Sequence, residues 1–215
     1  MSHLSNDLEI IAERIRASFS AQDAAREKAL PLCREVIRFS SITIRSIHRH
    51  EFDEARVTLA EAGRLLREAE HYLSSCVALE NTRFVLDAQK EYAEAHATLA
   101  LTTNQPLPTP EEIEVDYSAY LNGLAEAASE LRRYLLDGLR GGDFHRGEEL
   151  LMAMDEVYSI LVTMDFPDSI TGGLRRTTDM LRGVMEKTRS DLTLSVQQNR
   201  LESKLEEFNK KIQQA

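Results

Sequence analysis

Residues 116–131 read Asp-Tyr-Ser-Ala-Tyr-Leu-Asn-Gly-Leu-Ala-Glu-Ala-Ala-Ser-Glu-Leu, and their period decides the fold class. Leu121, Leu124, Ala125, Ala127, Ala128 and Leu131 supply a small, apolar surface at helical spacing. Glu126 and Glu130, four residues apart, project from that helix within about 40° of each other. Upstream, residues 102–110 hold three of the five prolines and form a loop, because proline cannot sustain a helix interior. Thr109 suits an N-cap, with Pro110 first in the helix and Glu111 and Glu112 at the positive end of its dipole. The spacing predicts a helix from there to about Arg140, ended by Gly141-Gly142. Asp143 caps a further helix over about 143–163. After the turn at Phe166-Pro167-Asp168, a last helical stretch runs over about 169–211, loosened at Gly172-Gly173.

Toward the N-terminus the same period continues. Apolar residues recur over 4–50 with no glycine, and Pro31 predicts a kink or the first turn of a second helix, with a break near residues 20–23. Helices are expected over about 53–76 and 79–101. There is no fixed repeat, no alternation of strands and helices, and no glycine-rich phosphate loop. The expectation is an all-α protein, one domain over residues 1–215, built as a bundle of six or seven helices.

Composition narrows the function. Nine glycines and five prolines are too few for a chain built of hairpins, and 42% hydrophobic with 29% charged residues excludes disorder. No apolar run approaches the roughly 20 residues of a membrane span. The N-terminal residues lack the basic and apolar regions of a signal peptide, so a cytoplasmic location is expected, without a membrane partner. Cys33 and Cys76 form no Cys-x-x-Cys pair, which excludes a zinc or disulfide scaffold. The net charge of −10 weighs against nucleic-acid binding, yet residues 1–50 carry eight basic against six acidic side chains, and every later segment is acidic.

Two constellations could carry chemistry. Glu91 and Glu94 lie three apart on one predicted helix, and Glu126 and Glu130 four apart on another. If the helices face each other, four carboxylates repel unless a divalent cation sits among them, and all-oxygen ligation suits Mg²⁺ or Mn²⁺. The alternative is an ordinary solvated acidic face. Arg34, Arg38, Arg45 and Arg49, with Ser41 and His48, share about 100° of one helix side, opposite Cys33, Val36, Ile37, Ile44 and Ile47. Such a stripe can track a phosphate backbone, or pair with glutamates of a neighbouring helix or subunit. Glu68-x-x-His71 is half of a ferritin-type di-iron motif; without a second Glu-x-x-His it reads as a surface pair.

The stretch 116–131, followed by Gly142-Asp143-Phe144, resembles the signature of the translin superfamily, comprising translin and translin-associated factor X. Arg83-Phe84-Val85-Leu86 also resembles the preceding helix of translin. The likeness spans about residues 25–200 and is strongest over 116–145. It implies a seven-helix bundle assembling into a hollow homo-octamer with RNA, or single-stranded DNA, inside. It further implies a metal-dependent endoribonuclease site for which Glu91, Glu94, Glu126 and Glu130 match the catalytic, Mg²⁺-binding (or Mn²⁺-binding) acids. Translin has apolar residues at the equivalents of Glu91, Glu94 and Glu126, so the chain resembles the catalytic branch, as a prokaryotic, archaeal homologue. Glu126 stands where that branch has aspartate. The basic run that translin carries before its Arg-Phe-Val-Leu is absent, with Val77, Leu79 and Asn81 in its place. RNA contact is therefore expected from Arg34, Arg38, Arg45, His48, Arg49 and Arg83. The alternative is a non-catalytic RNA- or DNA-binding shell.

Overall fold

The computed structural model describes residues 3–213 apart from 75, 77, 78, 80 and 81, so positions 77 and 81 of the altered basic run lie outside the described residues. Seven helices and no strand are found among the described residues: α1 His3–His48, α2 Phe52–Leu73, α3 Arg83–Thr103, α4 Tyr117–Arg140, α5 Phe144–Leu161, α6 Asp168–Thr171 and α7 Leu174–Gln213. The all-α reading holds.

Three boundaries differ from expectation, each for a local reason. α1 runs unbroken through residues 20–23 and carries Pro31 inside it. Proline removes one backbone donor there, but Ala25, Ala29, Cys33 and Val36 on either side are buried against the core, and that packing holds the helix together. Thr109 and Glu112 do exchange capping hydrogen bonds (Glu112 N to Thr109 Oγ1, 3.2 Å; Thr109 N to Glu112 Oε2, 2.8 Å). The turn they start ends at Glu114, which has φ 55°, and Ile113 and Val115 are pulled into the core. Helix α4 begins only after Asp116, whose carboxylate accepts from Ser118 N at 2.7 Å. Gly172 and Gly173, at φ 62° and 84°, separate α6 from α7 rather than loosening one helix.

The core has two parts that share α3. One is made by α1, α2 and α3; the other by α4, α5 and α7, with Ala97 of α3. The pair α3–α4 is the seam, and alanine is the commonest buried residue on both helices, with Ala88, Ala93, Ala95, Ala97 and Ala100 on α3 and Ala119, Ala125, Ala127 and Ala128 on α4. The backbones come closest at Gly123. A Cβ there would stand 2.6 Å from Lys90 O and 2.9 Å from Glu94 N, so only glycine permits this crossing.

The N-terminal part of α1 and the C-terminal part of α7 leave apolar stripes uncovered. Leu4, Leu8, Ile11, Ile15 and Phe19 on α1 are exposed, as are Leu194, Leu201, Leu205, Phe208 and Ile212 on α7. No helix among the described residues is long and apolar enough to cross a membrane.

Candidate metal centre

The Gly123 crossing lies between Lys90 and Glu94, so side chains on this seam converge over a short span. Glu91 and Glu94 come from α3 and Glu126 from α4; one oxygen of each lies within 4.8 Å of the others. Three of the four sequence-selected acids are thereby brought together. Glu94 is the deepest, at 8% exposure. Burial pushes its carboxyl up to about 9, and the neighbouring charges of Glu91, Glu126 and Glu130 push the same way. Burial also raises Glu91, against the opposing pull of Lys90.

Glu130 stands beside the three rather than among them. Its Oε2 accepts from His48 Nε2 at 2.8 Å, and that bond lowers its pKa. An ionised Glu130 fixes the His48 proton on Nε2. This departs from the expected surface role of His48: its side chain is only 2% exposed, turned inward from the edge of the arginine stripe. Arg34, Arg38, Arg45 and Arg49 are exposed as the helix period requires. Arg38 is the most engaged of them, donating from Nε and Nη2 to Glu35 and lying over the Phe39 ring. The stripe and the carboxylates are thus neighbours, joined at the end of α1 by the His48–Glu130 bond. Arg83 is exposed at the start of α3, 3.8 Å from Asp87. Glu68 pairs with Arg64 while His71 is exposed, which leaves the di-iron half-motif a surface feature.

Lys90 escaped the sequence reading. Its Nζ donates to both Glu126 oxygens, at 2.8 and 2.6 Å, and lies 3.3 Å from Glu91 Oε1. The signal was present in the spacing, since Lys90 precedes Glu94 by four residues and shares its helix face. The donor set suits a hard divalent cation: oxygens only, on two helices, with a carboxyl that burial first, and repulsion from its neighbours second, keeps protonated in the absence of added positive charge. A single ammonium neutralises part of that charge and leaves the rest.

Fold and site together define an all-α bundle with a carboxylate cluster set in a close-packed helix seam. No protein-family model matches the chain. It is 28% identical over 186 residues to the uncharacterized protein MJ0175 of Methanocaldococcus jannaschii, covering 86% of this chain and 82% of that protein. Among solved structures it is similar to AfC3PO, both in its complex with duplex RNA (TM-score 0.78) and in a crystal structure of AfC3PO (TM-score 0.74). Both are 33% identical and cover 86% of this chain, with 95% and 96% of theirs. Apo-NeC3PO, 18% identical, shares the fold at TM-score 0.74 over 91% of this chain and 98% of its own. The chain belongs to the translin superfamily.

Proposed function

We propose that the protein is a divalent-metal-dependent endoribonuclease acting on small or single-stranded RNA within a homo-oligomer. The observation that carries this reading is the convergence of Glu91, Glu94 and Glu126 within 4.8 Å on a chain 33% identical to AfC3PO, whose structure with duplex RNA is known. These three would hold Mg²⁺ (or Mn²⁺), which when bound supplies polarisation of a phosphodiester oxygen and acidification of water. Glu94 carries a proton in the metal-free protein at neutral pH and gives it up on binding. Glu91, raised by burial, would bind the ion alongside Glu94 and Glu126. Glu130, kept ionised by His48, adds negative charge beside the site. Arg34, Arg38, Arg45 and Arg49 would steer the strand by its phosphates, without reading bases.

Assembly follows from the two uncovered stripes. The apolar residues of α7 recur at 194, 201, 205, 208 and 212, at the three-, four- and seven-residue steps of a coiled-coil seam, which suits a second copy of the chain. An octamer is the expected assembly.

One observation favours a second reading, a non-catalytic RNA- or DNA-binding shell: Lys90 already compensates part of the cluster's charge. Labelled single-stranded RNA incubated with Mg²⁺, with chelator, and with Glu126→Gln separates the two. The nuclease reading expects cleavage lost in the last two while binding persists. Binding without cleavage by the unmodified protein selects the shell.

A further inference from the structure

Beside the carboxylates, and opening onto them, lies a groove of about 600 Å³ bounded by the first halves of α3 and α4 and by the turn between α6 and α7. Lys90 and Glu126 form the wall it shares with the metal centre, and Arg83 and Arg176 line it from α3 and α7. Its size lies within the range of about 300–1,000 Å³ typical of ligand sites. The far wall is built to be rigid. Buried Asn122 donates to Ser118 O and Thr171 O, each at 2.8 Å, and its Oδ1 accepts from Thr177 Oγ1 at 2.7 Å. Those bonds fasten the Gly172-Gly173 turn, with its two positive φ angles, to α4, and so fix where α7 starts and where Arg176 emerges.

The two arginines are available. Arg176 makes no ion pair with a described residue, and Arg83 has only the 3.8 Å approach of Asp87. Arg38, by contrast, is held by two hydrogen bonds to Glu35. An anionic ligand with one end at the carboxylates and a negative charge along its length matches this layout, because the cation centre and the arginines are two separate anion-attracting points on one groove. Arg83 precedes Lys90 by seven residues, about 10 Å of helix rise, far enough to meet a different phosphate of the same strand.

We propose that this groove seats the strand adjoining the cleavage point, with Arg83 and Arg176 gripping its phosphodiesters. The proposal rests on the RNA reading above and extends it to a second contact surface, distinct from the α1 stripe and contributed partly by α7.

The test uses full-length protein carrying Glu94→Gln, so that no cleavage disturbs the measurement, and a fluorescein-labelled RNA oligonucleotide followed by anisotropy over a salt series. Adding Arg83→Ala and Arg176→Ala should weaken binding about tenfold and flatten the salt slope by about 1.4 to 1.8, the value for two lost phosphate contacts. The double Lys replacement should keep most of the slope, since lysine retains the charge. Mn²⁺ binding by the Arg83→Ala/Arg176→Ala protein with Glu94 restored, read by electron paramagnetic resonance, should be unchanged. Unaltered RNA affinity and slope in the Ala variant, with the parent binding RNA, would overturn the groove and leave the nuclease reading intact. Failure of the parent and of the unmodified protein to bind RNA at all would overturn both.

Discussion

Replacing Lys90 by Met should tighten divalent-metal binding while destabilising the metal-free protein. In the metal-free state the ammonium makes two charge-assisted hydrogen bonds to Glu126 and lies 3.3 Å from Glu91. Hydrogen bonds to charged groups contribute about 1.5–3 kcal/mol net. Both side chains are about a quarter exposed, which weakens the pair, so about 2 kcal/mol in total is a fair figure. A cation among Glu91, Glu94 and Glu126 competes for the same Glu126 oxygens, and the unmodified protein must give up that 2 kcal/mol to bind it. Lys90→Met has already lost it. Its Mg²⁺ or Mn²⁺ affinity should therefore rise about thirtyfold, at about 1.4 kcal/mol per tenfold. The metal-free melting temperature should fall by about 4–8 °C, at about 2–4 °C per kcal/mol for a chain of this size. Calorimetric titration with Mn²⁺ and thermal melts with and without the ion measure both. Equal or weaker metal binding by Lys90→Met would refute the idea that the ammonium and the ion compete for one place.

Glu94, held near 9 against an unfolded value of 4.5, binds a proton in the folded state that the unfolded chain releases. Its contribution to stability therefore falls as pH rises from about 4.5 to 9, at up to about 1.4 kcal/mol per pH unit. Buried His96, pushed down to about 4 by burial, acts oppositely, its stability being lost as pH falls from 6.5 toward 4. Melts of metal-free protein should thus decline between about pH 6.5 and 9, and Glu94→Gln should lessen that decline, to which buried Glu91 also contributes; a variant with the same profile as the parent would contradict the assignment. Over the same window Mn²⁺ affinity should increase with pH, with proton release on binding measurable in buffers of different ionisation enthalpy. Gly123→Ala drives a Cβ into the backbone of α3 at Lys90 and Glu94, and the helices must part. A cost of about 1–3 kcal/mol is expected, with weakened metal binding, and normal stability would show that the crossing is loose. Leu201→Glu with Phe208→Glu should reduce the assembly mass in light scattering without lowering helix content; an unchanged mass would place the α7 stripe outside the interface.

The amino-acid sequence by itself marked most of the helices, because they are written in local chemistry: apolar spacing at 3.6 residues, the cap at Asp143, and breaks at the prolines of 106–110 and at the paired glycines. It also marked the acids, since four glutamates on two helices are visible by spacing alone. Only the tertiary structure decided which of them meet. Glu91, Glu94 and Glu126 converge because Gly123 lets α3 and α4 cross at backbone contact. Glu130, on the same face as Glu126, is taken instead by His48 from a helix that ends 82 residues earlier. Pro31 and Glu114 show the same division from the other side. A buried alanine face carries α1 through its proline, and the pull of Ile113 and Val115 into the core overrides a well-formed cap. Local propensity is worth at most about 1 kcal/mol per residue for any residue but proline, and burial of a side chain outweighs it wherever the two conflict.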